Sequence, residues 1–205
     1  MEKKPEDGGA AAAGALEANA PESLLLHVCC APCAIYPLRE LCARFPGTRI
    51  LAWFYNPNIH PASEYRRRRD ALAYLFALRD SFLPPGSRLS LDLSAPYRPD
   101  EFLALAAMSP RRPVRCGLCY SLRLEAAARK AAEAGAGLFT TTLLYSRRQG
   151  HSMIAEAGEG AAAREGVHFH YQDFRAGWKE GRELSVKLDV YRQNYCGCLY
   201  GQIDN

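Results

Sequence analysis

Seven of the eight cysteines in this 205-residue chain fall into three tight groups: Cys29/Cys30/Cys33, Cys116/Cys119 and Cys196/Cys198. Grouped thiols of this kind in an Arg-rich chain that lacks an export signal point to metal binding or redox chemistry rather than to structural disulfides. A zinc site or a cubane iron-sulfur cluster takes four ligands, so seven exceed either requirement. The surplus allows a cluster plus a second metal, a cluster plus a redox disulfide pair, or two metal sites. Soft thiolate crowding favours iron-sulfur over magnesium or calcium and leaves zinc open. Cys42 stands apart on a helical segment and reads as a small buried hydrophobe.

The thiols need elements to hold them. Leu24, Leu25, Leu26 and Val28 form an apolar run suited to a buried parallel strand, broken by Ala31-Pro32 before a helical stretch. Cys29, Cys30 and Cys33 therefore belong at a strand's carboxyl end, where open α/β sheets bind ligands. Alternation along an extended segment sends the side chains of Cys29 and Cys30 to opposite faces, which suggests separate tasks. Strands are expected near 24–29, 50–55, 89–93, 137–141 and 167–170. Helices are expected near 34–45, 62–80, 99–107, 117–134, 150–164 and 183–194. This alternation predicts an α/β fold, a parallel sheet covered on both faces. Residues 1–22, rich in Ala, Gly and Glu, read as a disordered extension and 23–205 as a single domain.

Other motifs fall around the same edge. Asn56-Pro57-Asn58-Ile59-His60-Pro61 follows the second strand and leads into Tyr65 and Arg66-Arg67-Arg68-Arg69, a solvated helix face or a phosphate-contacting patch. His60 is either a hydrogen-bonded turn residue or a proton donor or ligand. The basic loop Pro110 to Arg115, with Arg111 and Arg112, delivers Cys116-Gly-Leu-Cys119 at a helix start, where the dipole favours thiolate. Phe139 to Gln149 ends a strand with three threonines, Tyr145, Ser146 and two arginines, which are either strand filler or sugar and phosphate contacts. Asp173-Phe174-Arg175 and Gly177-Trp178 make a short turn, and Tyr195-Cys196-Gly197-Cys198 lies close to the terminus.

The net charge of +4 becomes +7 once the net −3 of residues 1–22 is set aside, which accommodates a nucleic-acid partner. No apolar run spans a bilayer and no secretory h-region opens the chain, so a cytoplasmic protein without a membrane partner is expected. Walker A, G-x-G-x-x-G and zinc-deaminase signatures are absent, which removes local support for those chemistries.

Taken together, HVCCAPC, FYNPNIHPASEYRRR, RCGLCYSLRL, TTTLLYSRRQ and YRQNYCGCLYG, in this order from Leu24 to Gly201, resemble the QueH family of epoxyqueuosine reductases. The resemblance implies two-electron reduction of the epoxide of epoxyqueuosine at the tRNA wobble position to queuosine, the last step of queuosine biosynthesis. It implies a 4Fe-4S cluster with an additional mononuclear iron, without cobalamin, and a Rossmann-like fold related to the nucleotide alpha-hydrolases. In place of those relatives' glycine-rich phosphate loop, this chain has cysteines.

On that reading Cys29, Cys116, Cys119 and Cys198 hold the cluster and Cys30, Cys33 and Cys196 the iron. Tyr120, Tyr145, His60, Asp173 and Tyr195 are candidate proton donors. Tyr55, Asn56, Tyr65 and Trp178 would receive the nucleotide, with Arg66 to Arg69, Arg111 and Arg112 on phosphates. A ferredoxin or flavodoxin is the expected electron donor. Two other readings make distinct predictions: a zinc-stabilised tRNA-binding module with structural thiols, and a thiol-disulfide oxidoreductase using Cys116/Cys119.

Overall fold

In a computed structural model, residues 20–109 and 111–203 are described; the expected N-terminal extension falls largely outside them. Five parallel strands stand in the order β3-β2-β1-β4-β5. They are β1 (Ser23–His27), β2 (Arg49–Trp53), β3 (Arg88–Asp92), β4 (Leu138–Thr141) and β5 (His168–Phe169). The chain winds outward from β1 in one direction, then returns to β4 on its other side. The crevice at the carboxyl ends of β1 and β4 is therefore the topological switch point of a doubly wound sheet.

The helices are α1 (Ala31–Arg44), α2 (Ala62–Ala77), α3 (Pro99–Met108), α4 (Val114–Glu133), α5 (His151–Glu165), α6 (Trp178–Lys187) and α7 (Leu199–Ile203). α1 packs with α2 and α6, and α4 with α3 and α5, so helices flank the sheet as expected. Leu24, Leu25 and Leu26 are fully buried. Leu25 registers with Leu51 on one side and Phe139 on the other, the continuous apolar pattern of a strand covered on both faces. Cys42 is buried in this core, and burial pushes its thiol pKa up. None of the described helices is long and apolar enough to cross a membrane.

Two differences from the expected elements matter for the site. α1 begins at Ala31, three residues early, with Cys30 extended at its N-cap (φ −170°) and Pro32 in its first turn. Cys33 therefore lies on the helix rather than in a loop. The last long helix, expected over 183–194, runs instead from Trp178 to Lys187. It ends because Asp189 takes a left-handed conformation (φ 52°), and the freed segment 191–198 crosses the carboxyl edge as an irregular strap. The helix starts early because Asp173 caps the preceding 3-10 turn, Phe174–Gly177, accepting from Arg175 N at 3.0 Å.

At the end of β5 His170 packs edge-on against Phe45, and burial, opposed by its bond to Gln172, lowers its pKa. The folded chain keeps this imidazole neutral below the pH at which the unfolded chain protonates it, so stability is present above about pH 6.5 and is lost as pH falls. Urea unfolding at pH 7.5 and 5.5 is expected to show a drop in stability that is smaller in His170→Gln. An unchanged drop would place the acid sensitivity elsewhere.

Candidate metal centre

The turn at Cys30 brings the first three thiols together. The sulfurs of Cys29, Cys30 and Cys33 all lie within 4.8 Å of one another, with Cys29 and Cys30 at 3.8 Å. The expected divergence of Cys29 and Cys30 does not occur, because β1 ends at His27 and the chain bends into α1 at Cys30. Strand alternation holds only while the strand does.

Polar side chains from three strand ends fix this turn. His27 is fully buried between Thr141 Oγ1 (2.8 Å) and the Tyr55 carbonyl (3.0 Å), and burial with the nearby Arg123 charge lowers its pKa to about 3. The neutral ring must donate from Nε2 to the carbonyl and accept at Nδ1 from the threonine. Thr142 Oγ1 accepts from Cys29 N at 2.9 Å and donates to Cys29 Sγ at 3.2 Å. Thr140, Thr141 and Thr142 are fully buried and are not sugar contacts; Thr141 and Thr142 brace the turn, while Thr140 donates to His170 O at 2.7 Å. Gln193, on the strap, donates to Cys30 Sγ at 2.6 Å.

Cys29 is the ready thiolate of the trio. Hydrogen bonds from Cys30 and Cys33 hold its pKa well below the usual thiol value, helped by Arg123 and Thr142. Burial pushes Cys30 up to about 12, and Cys33 is raised by its bond to Cys29.

The other four thiols line an adjoining cavity of about 290 Å³. Cys116 and Cys119 come from the first turns of α4, with Tyr120 and Arg123 continuing the same face at helical spacing. Cys196 and Cys198 come from the strap; their thiols hydrogen-bond, which holds Cys196 down to about 6 and raises Cys198. Cys119 and Cys198 share a small apolar cluster with Phe102 and Ala106. A larger cavity of about 760 Å³ contains Cys29 and Cys33. Arg112, Arg123, Arg147, Arg148, Gln149 and Cys196 wall both.

The strap is held by Arg68. Its side chain is 2% exposed, pairs with Glu64 at 2.8 Å, and donates to the carbonyls of Cys196 (3.2 Å) and Tyr195 (3.1 Å). Arg68 is therefore a buried clamp rather than a phosphate contact. Arg66 and Arg67 are exposed, Arg67 over the Tyr191 ring, and Arg69 is half-buried. His60 donates its backbone N–H to Gly197 O at 2.7 Å and accepts from the Tyr195 hydroxyl, while its ring lies beside Tyr97. Gly197 takes φ +104°, and a Cβ there would stand 2.8 Å from Ile59 Cγ1 and 3.0 Å from Arg68 Nη1.

The remaining expected residues divide clearly. Tyr120 lines the smaller cavity, donating to Gln149 Oε1 at 2.6 Å and accepting from Gly150 N at 3.2 Å. Tyr145 is buried with its hydroxyl on the Trp178 carbonyl at 3.0 Å. Asp173 is chelated by Arg175, whose hydrogen bonds lower its pKa to about 2, and it caps the turn that follows.

Asn56 is 1% exposed and joins the Val28 carbonyl (2.9 Å) to Arg123 (2.7 Å), so it braces the site and does not meet an RNA. Tyr55 is stacked on Trp53 and bonded to Glu101, and Tyr65 is buried against Tyr97. Trp178 lines the larger cavity beneath the Arg147 guanidinium, 5.0 Å from its ring centre. Arg111 and Arg112 are exposed on the loop before α4. Arg123 and Gln193 were not singled out from the sequence: one looks like any helix arginine, the other like any loop amide.

A doubly wound α/β domain with three sulfur donors converging at its switch point could hold a metal ion there. The family model described as Epoxyqueuosine reductase QueH matches residues 24–204. The chain is 36% identical over 191 residues to Epoxyqueuosine reductase QueH of Thermotoga maritima, covering 89% of this chain and 91% of that one. It is 34% identical over 181 residues to the protein of the same name from Dehalococcoides mccartyi, covering 88% and 93%. The chain belongs to the QueH family of epoxyqueuosine reductases, a family of oxidoreductases.

Gly197→Ala is expected to cost about 2 kcal/mol through backbone strain, before the clash with Arg68 is added. Urea unfolding and the alkylation rate of Cys198 read it: both stability and thiol protection should fall. Gly47→Ala, at φ +82° with open space around it, should strain the backbone without exposing Cys198. Equal alkylation in the two variants would show that Gly197 does not hold the strap.

Proposed function

We propose that this chain reduces the epoxide of epoxyqueuosine in tRNA to the cyclopentene of queuosine, completing queuosine biosynthesis. The observation that carries this is the arrangement of seven thiols in two adjoining groups, three converging and four spread around a cavity. Three sulfurs within 4.8 Å suit one ion, whereas four donors around a small cavity suit the wider body of a 4Fe-4S cluster. The donor set therefore fits the two groups the family implies.

Cys116, Cys119, Cys196 and Cys198 would hold the cluster, and Cys29, Cys30 and Cys33 the additional iron. Relative to the division expected from the motifs, Cys29 and Cys196 exchange places. When bound, such groups supply electrons singly and a Lewis acid.

The reaction takes two electrons and two protons; both epoxide C–O bonds break, a carbon–carbon double bond forms and the oxygen leaves as water. The chain supplies a proton at Tyr120 Oη. Burial pushes its pKa up to about 12, and its hydrogen bond to Gln149, which lines both cavities, sets the hydroxyl at the boundary between them. Gln149 orients the hydroxyl, its Oε1 accepting the hydrogen bond from Tyr120 in the resting site.

The larger cavity receives the modified nucleoside, with Trp178 as an aromatic wall and Arg112, Arg147 and Arg148 at the rim for phosphates. A low-potential ferredoxin or flavodoxin in the cytoplasm would deliver the electrons. The chain needs no cobalamin on this reading.

Anaerobic reconstitution is expected to give about five iron and four sulfide per chain and reductant-dependent turnover of epoxyqueuosine-containing tRNA. Cys119→Ala should lose sulfide as well as iron. Cys33→Ala should lose about one iron while keeping its sulfide, which tests the division. A colourless, zinc-loaded and inert protein would favour the structural zinc module instead.

Tyr120→Phe is expected to retain iron and sulfide while turnover falls about 100-fold, the lower range for loss of a general acid. Full activity in that variant would remove Tyr120 from the proton path.

A further inference from the structure

Arg123 is 4% exposed and reaches the wall shared by the two cavities. Its Nη2 donates to Asn56 Oδ1 at 2.7 Å, and its Nη1 stands 3.9 Å from Cys119 Sγ. Its Nε is buried without a hydrogen-bond partner among the described residues. It lines the larger cavity together with Cys29 and Cys33 and the smaller one together with Cys116, Cys119, Cys196 and Cys198.

Two other buried arginines stand near the thiols: Arg68 is neutralised by Glu64 at 2.8 Å, and Arg115 lies over the Tyr200 ring. Arg123 has a neutral amide as its anchor, and no carboxylate pairs with it among the described residues. A buried guanidinium in this situation is costly unless anionic charge stands beside it. An unpaired N–H in the same cavity calls for an acceptor as well. Thiolates and cluster sulfides supply both needs.

We propose that Arg123 is a positioning residue that serves both thiol groups at once, holding their negative charge and setting the reduction potential of the cluster. The inference rests on the iron-sulfur reading above. A positive charge at this wall favours the reduced, more negative state, so removing it shifts the potential downward. It also ties the trio to the quartet, because one guanidinium is shared between them and neither can lose it alone.

The test uses the reconstituted full-length protein and its midpoint potential by spectroelectrochemistry, with wild type, Arg123→Gln and Arg123→Lys compared. Arg123→Gln should shift the reduction equilibrium at least tenfold toward the oxidised state, about 59 mV for one electron. Arg123→Lys keeps the charge and should recover most of the shift. If lysine is as damaging as glutamine, or glutamine leaves the potential unchanged, the electrostatic role is overturned.

Asn56→Asp covers the case in which Arg123→Gln fails to fold. It places a carboxylate on the guanidinium without truncating it, and should lower the potential in the same direction; no shift overturns the proposal. Cobalt(II) titration of the metal-free protein separates this inference from the reading beneath it. A tenfold or greater loss of cobalt affinity in Arg123→Gln, with lysine restoring it, supports Arg123 even where wild type takes up no sulfide. Unchanged affinity with normal cluster assembly supports the reductase reading and overturns the role of Arg123 at the trio.

Discussion

Several sulfur anions cannot be gathered at a buried edge without buried positive charge beside them, and this constraint shapes the molecule. Three buried arginines, Arg68, Arg115 and Arg123, stand there, and the first and last meet it in different ways. Arg68 is paired with Glu64 and spends its other donors on the backbone of Tyr195 and Cys196. It is a mechanical clamp whose charge is largely balanced. Arg123 is anchored by an amide and leaves its charge for the thiols. Each of these two is supported by a second layer: Tyr191 on Glu64, and the Val28 carbonyl on Asn56. The apolar strands below make this layer rigid, because Leu24 to Leu26 and Phe139 are fully buried and leave no room for the edge to shift.

The fold itself was largely written in local patterns. Apolar runs alternating with helical stretches gave five parallel strands and the flanking helices, and the motif order placed the thiols at the carboxyl edge. What local pattern does not carry is the partner across the fold. Cys29 and Cys30 were read by strand alternation, yet the strand stops at His27 and the bend at Cys30 reverses the conclusion. Arg68 lay inside a run of four arginines read as a solvated face or a phosphate-contacting patch; helical spacing from Glu64 turns that one member inward. Asn56 was expected to receive the nucleotide because nothing local reveals its two partners, Val28 and Arg123, which are 28 and 67 residues away. Arg123 gave no signal for the same reason.

The switch point explains why such chemistry occurs here at all. In doubly wound sheets the first strand-to-helix turn faces an open crevice, and backbone amides there commonly cradle phosphate. Here Cys29 and Cys30 occupy the turn, with Cys30 extended at the N-cap and no glycine to bring backbone close to a ligand. The same crevice thus presents sulfur in place of N–H groups. A crevice that elsewhere holds an anion here presents donors that could hold a cation, with buried guanidinium groups beside them.

The thiol groups also have unequal structural security, and the difference follows from chain connectivity. The trio belongs to a strand end and a helix start, elements ordered by the core before any ligand arrives. Half of the quartet belongs to a strap near the end of the described chain, and positioning it costs roughly 1–2 kcal/mol of backbone entropy per residue. The structure offsets that cost at several points: Arg68 on two carbonyls, His60 N–H on Gly197, Gln193 on Cys30, and Gly197 packed against Ile59 and Arg68. Of these, the Gln193 bond is the one that joins the strap to the trio. The strap that carries half of the quartet is thereby fastened to the trio through a sulfur, so ordering one thiol group restricts the other. Coupling between the two is then mechanical through the strap and electrostatic through Arg123, and both routes converge on the same few ångströms of the sheet edge.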